Sequence, residues 1–164
     1  MMKKIFFLII ICINLISCQK KETKFIDLKK HSEESLFDRG NYEGKRFAYK
    51  SILVDNPPTQ NNEIIKMLEK YEDENLNDSY KRADIYSISI FFYSKNNSTS
   101  YFIDNPDDSG GFSSEVLHDY YPKFGIGEIT IHRCEQDKNK WTSKISYFDA
   151  QRNVKDSILT NCIK

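Results

Sequence analysis

The chain carries none of the short motifs that announce a reaction. No Gly-x-Ser-x-Gly elbow occurs, and no serine stands beside a recognisable base and orienter. Gly110-Gly111 lacks the Lys-Ser or Lys-Thr that completes a phosphate loop. The three histidines, His31, His118 and His132, are never four residues apart, so no helical metal pair exists. Charge of one sign is also missing. With 24 basic and 24 acidic residues the chain is formally neutral, and no basic stripe marks a nucleic-acid footprint. The longest apolar block, Ile5 to Ile13, falls short of the roughly 20 residues a spanning helix needs. Tryptophan occurs once, at Trp141, while 10 Tyr and 11 Phe supply the aromatic bulk. Hydrophobic residues make up 39% of the chain, enough for a real core, and exclude a disordered body.

What the chain does have begins at its N-terminus. Lys3 and Lys4 precede the apolar block, and a small residue, Ser17, follows it, which is the pattern of a secretory leader. Leu15-Ile16-Ser17-Cys18 resembles the bacterial lipobox: an aliphatic residue, a variable one, a small one, then Cys. The resemblance to bacterial lipoproteins implies cleavage before Cys18, a diacylglycerol on its thiol and an acylated amine. A single acyl chain holds a protein only marginally, and two or three hold it firmly. By the same family analogy, Gln19 in place of Asp favours the outer membrane of a Gram-negative cell over retention in the inner one. The expected division is residues 1–17 as signal peptide, 18–24 as a lipid-anchored tether and 25–164 as one globular domain. Without Lys3 and Lys4 the mature charge is near −2.

Two cysteines are left after Cys12 leaves with the leader and Cys18 takes lipid. A bridge between Cys134 and Cys162 would close a loop of about 28 residues, worth roughly 3.5 kcal/mol in the chain-entropy model. Each ends an expected strand. If those strands lie two apart, a bend is needed to join them, and two buried thiols are the alternative.

Along the body, Phe25 to Phe37 reads as a short, weak helix and Lys45 to Val54 as a strand ended by Asp55-Asn56-Pro57-Pro58. The best helix follows Thr59, a candidate cap, with Ile64, Ile65, Met67, Leu68 and Tyr71 as one stripe. Ala83 to Tyr93 is the strongest strand. Tyr86, Ile88, Ile90 and Phe92 share one face, and apolar residues on both faces predict a central position. Tyr101-Phe102-Ile103 reads as a return strand, and Phe112 to Tyr121 holds a helical turn. Three strands, Gly125–Cys134, Lys140–Asp149 and Val154–Cys162, are joined at hairpin lengths. The expected fold is α+β: one main helix on a curved antiparallel sheet of about five to six strands, an element order that resembles the cystatin-like arrangement.

Few segments are candidates for chemistry. Asp104 to Gly111 is rich in oxygen donors, yet Val116 stands where an EF-hand needs its bidentate Glu, so a solvated turn fits better than a calcium loop. His132 and Cys134 alternate onto one strand face, the ordinary setting of an exposed histidine beside a structural cysteine. Asp156-Ser157-Ile158 matches a short O-glycosylation sequon that chance also produces. Tyr120, Tyr121 and Phe124 cluster around Pro122. Exposed, they form a surface for a partner or a sugar; buried, they pin a long connection to the sheet. No metal or cofactor is expected. The function expected is that of a membrane-anchored, extracytoplasmic lipoprotein. The first reading is a non-enzymatic protein-binding module, immunity- or inhibitor-like, whose partners are the membrane and an envelope or secreted protein. The alternative is a small-ligand or glycan binder, and an enzyme ranks last.

Overall fold

The computed structural model describes residues 21–36, 43–75, 84–105, 114–135, 137 and 140–160. The expected leader and lipobox with Cys18, residues 106–113 and Cys162 lie outside them.

Seven strands form one open sheet: β1 (Lys24–Asp27), β2 (Glu33–Leu36), β3 (Arg46–Asp55), β4 (Ile85–Ser94), β5 (Gly125–Arg133), β6 (Trp141–Phe148) and β7 (Val154–Thr160). β1 pairs with the second half of β3 and β2 with the first, so together they fill one edge. A 3-10 turn over Lys29–His31 joins them, where Leu28 N donates to Ser51 O at 3.0 Å. The order from that edge is β1/β2, β3, β4, β5, β6, β7. The fold is α+β, and β4 is central.

Helix α1 (Asn61–Asn75) links β3 to β4, which therefore run parallel; every other pairing is antiparallel. Parallel pairing needs a crossover connection, which α1 supplies between β3 and β4, whereas β4 and β5 pair antiparallel through a longer connection. The first face of the sheet is buried by α1. Ile64, Met67, Leu68 and Tyr71 pack on Ile52, Val54, Ile88, Ile90, Phe92, Ile129 and Ile145. Phe25, Tyr71 and Phe92 meet edge to face, with centroids 4.9 to 6.2 Å apart. α1 begins two residues after Thr59, and the Gln60 carbonyl accepts from Glu63 N and Ile64 N.

Helices α2 (Asn97–Asp104), α3 (Ser114–Asp119) and α4 (Tyr121–Phe124) pack on part of the second face. Phe102 and Leu117 bury Leu28, Leu53 and Tyr93 there.

Several expectations need correction. Phe25 to Phe37 is not a helix: its first part pairs as β1 and β2, because the β3 edge offers unpaired backbone to short strands. Tyr101-Phe102-Ile103 is helical. Asn96 Oδ1 accepts from Ser98 N and Thr99 N, while Thr99 Oγ1 accepts from Asn96 N, and this reciprocal cap starts α2. Of the residues expected in the tether, Lys24 opens β1, Thr23 Oγ1 donates to Asn56 O, and Asn56 Nδ2 donates to Glu22 O. Finally, Tyr86 does not share the face of Ile88. Ile85 pairs with Arg46 and Ser87 with Phe47, so Tyr86 is an extra residue and the alternation slips by one. Ile85 joins the α1 core, and Tyr86 packs on Phe47 at 5.4 Å on the other side.

Candidate functional site

The second face of the sheet divides in two. One half lies under α2, α3 and α4. On the other, cross-strand register sets side chains in rows. Phe47, Ser87, His132 and Thr142 make one row; Tyr49, Ser89, Thr130 and Lys144 make the next. Ser51, Phe91, Glu128, Ser146 and Asp156 form a third, which borders the helices. Because side chains alternate along each strand, the residues that fill these rows are those the α1 core leaves over. Tyr49 is 41% exposed and His132 is exposed, whereas Ser51 and Ser87 are buried and Ser89, Thr130 and Lys144 half-buried.

Hydroxyls and charges dominate this half. Thr130 Oγ1 donates to Glu128 at 2.8 Å. Ser146 Oγ donates to Asp156 at 2.8 Å, and Lys144 Nζ lies 2.9 Å from the same carboxylate. Those two hydrogen bonds hold Asp156 below the usual carboxylate range. Partial burial pushes the His132 pKa down, with Glu128 opposing, so its ring is neutral at pH 7 and can both donate and accept. Burial pushes the Tyr93 hydroxyl up, against a hydrogen bond with Ser51, and Tyr121 up as well, with Glu128 adding to each. Both are neutral phenols. The surface can form many hydrogen bonds. Thr130 and Ser146 donate to carboxylates, and among the described residues no group of three His, Cys, Asp or Glu is placed to hold a metal.

The aromatic cluster faces inward. Tyr121 meets Phe91, Tyr93 and Phe148 at 5.1 to 5.5 Å and stacks parallel to His118 at 6.3 Å. Tyr120 packs edge-on against Phe102 and Phe124. All three are half-buried, and Pro122 and Lys123 are the exposed members. Arg152 fixes the segment. Its guanidinium donates to Gly125 O at 2.7 Å, to Pro122 O at 2.8 Å and to Tyr121 O at 3.3 Å, and it lies over the Phe148 ring at 4.2 Å. A Cβ on Gly125 would fall 2.5 Å from Tyr121 O, so only glycine admits this approach.

The remaining sequence candidates are dispersed. Cys134 is disulfide-bonded and buried, and its partner lies outside the described residues. Asp104 ends α2, and Asn105 Nδ2 donates to Tyr101 O, while residues 106–110 of the acidic turn lie outside the described residues. His31 is buried edge-on against Phe102. Trp141 lies on the α1 face, under the Arg133 guanidinium at 4.6 Å.

Sequence reading does not find the open surface, because it is built by register. Ser87 and Ser89, or Thr142 and Lys144, look like any outward strand face until neighbouring strands align them. No helix among the described residues is long and apolar enough to cross a membrane. The chain matches no protein-family model, and comparison with curated proteins and with solved structures finds none similar to it.

Proposed function

We propose that this chain is a lipid-anchored, extracytoplasmic lipoprotein that binds another protein through the open half of its sheet. The anchor reading is supported by Lys3 and Lys4, the apolar block and the Leu15-Ile16-Ser17-Cys18 box. Cys18 is the lipidated residue, and the outer membrane of a Gram-negative cell is its address. The binding reading rests on one observation: Tyr49, Ser89, Thr130 and Lys144 align across four strands on a face no described helix covers. A flat array of hydroxyls with an aromatic at one end and a lysine at the other suits a polar protein surface. A sugar-stacking platform would need its rings outward, and Tyr121 spends its ring on Phe91, Tyr93 and Phe148.

The test is capture from envelope extract by the full-length lipidated chain. A specific partner should be recovered by the wild type and lost on Thr130→Arg combined with Lys144→Glu. The control Asp73→Lys, on the outer side of α1, should retain it. Equal recovery by all three proteins would remove the open face from the account.

A further inference from the structure

A groove of about 540 Å³ opens where the described chain begins. Phe25, Pro57, Pro58 and Met67 give it an apolar floor, and Lys21, Lys66 and Lys70 stand on it. Glu22 and Glu63 also line it, leaving one net positive charge. We infer that this groove is the membrane-facing side of the body, resting on the phosphate headgroups of the bilayer that holds the Cys18 lipid. The inference depends on the anchor reading above.

Chain length carries the argument. Only Gln19 and Lys20 lie between Cys18 and Lys21, and the three Cα–Cα steps reach at most about 11 Å even when fully extended. The ten residues of β3 run from the groove end, where Asp55 pairs with Lys24, to Arg46 at the far end. A strand of that length spans about 30 Å. The groove therefore stays within reach of the headgroups, and the end that holds Arg46, Arg133 and Cys134 lies about 30 Å from it. Charge and shape agree with this placement. Lysine stems lie along apolar surface while their ammonium groups extend to phosphate. Each lysine at an anionic leaflet favours contact by roughly fivefold. The proline pair gives a stiff, uncharged lip between them.

The consequence is a defined orientation. The β5–β6 hairpin end points away from the bilayer, and the open sheet half stands upright on it, reachable from the side.

Spin labels test this in the full lipidated chain reconstituted in phospholipid vesicles that contain an anionic lipid. One label goes on Thr59→Cys beside Pro58, the other on Lys140→Cys at the far end; both positions are exposed. The oxygen-to-nickel collision ratio should be several-fold higher at 59 than at 140. The triple variant Lys21→Glu, Lys66→Glu, Lys70→Glu should bring position 59 to the water value while the protein stays in the membrane fraction. Water-like ratios at both labels, with intact mass showing an acylated Cys18, would overturn the orientation and leave the anchor standing. A bare residue 18 would overturn both.

Discussion

Gly127 lies directly beneath Leu68. A Cβ on Gly127 would sit 2.8 Å from Leu68 Cδ1 and 2.6 Å from the Ser146 carbonyl oxygen. Leu68 is fully buried, and the carbonyl belongs to the β5–β6 ladder, so neither can yield cheaply. The distance between α1 and the sheet is set at this point. Gly127→Ala should cost about 1–3 kcal/mol, the usual penalty of overpacking. Leu68→Ala should cost about 2–5 kcal/mol by leaving a cavity. Urea unfolding measures both. A neutral Gly127→Ala would mean that the helix rides higher than described.

Arg152 adopts a left-handed backbone, φ 64°, which glycine takes more easily than arginine. Its guanidinium nevertheless ties three carbonyls of the α4 segment. Arg152→Ala should lose the tie and keep the strain, at about 1–2 kcal/mol after allowance for exposure. Arg152→Gly should lose the tie and shed the strain, and so fall between wild type and Ala. Thermal melts of the three proteins check the order. An alanine variant more stable than the glycine one contradicts it.

The His132 pKa is depressed by burial, so the folded state resists protonation. Above the ordinary histidine value of about 6.5 the residue is neutral in both states and has no effect. As pH falls through that value the unfolded chain takes up the proton first, and stability declines. His132→Gln should therefore lose less stability than wild type between pH 7 and pH 5. Parallel urea titrations at the two pH values would show it, and identical losses would refute the assignment.

Cys134 is bonded to a cysteine outside the described residues, and Cys162 is the proposed partner. β7 runs antiparallel to β6, and its register sets Thr160 opposite Ser143, so the chain heads toward the start of β6. That start adjoins Cys134, whose N–H donates to Lys140 O. Cys162→Ser should destabilise by roughly 3.5 kcal/mol in the chain-entropy model. Non-reducing peptide mapping should recover a Cys134–Cys162 crosslink. Cys134 linked to another residue would dismiss the pairing.

Much of the architecture is readable from residue pattern. The stripe Ile64, Met67, Leu68 and Tyr71 gives α1, and apolar residues on both sides of Ile85–Tyr93 make β4 central, because each pattern reports what a single element must bury. Other features escape pattern reading for stated reasons. The Tyr86 slip and the extra Ile126 opposite Phe92 and Tyr93 depend on how two strands pair, and neither strand alone encodes that. α2 looks like a strand through Tyr101-Phe102-Ile103, yet Asn96 and Thr99 already carried the signature of a helix start. The open surface is legible only after four strands are aligned.

In the function proposed above, a lipid on Cys18 turns a polar α+β body into a resident of the cell envelope and holds the groove against the bilayer. Intact mass spectrometry of the protein purified from its native membranes measures it directly. The account predicts a mature chain beginning at Cys18 and heavier by a diacylglycerol, with a further acyl group on the amine. A terminus elsewhere, or an unmodified Cys18, would contradict it.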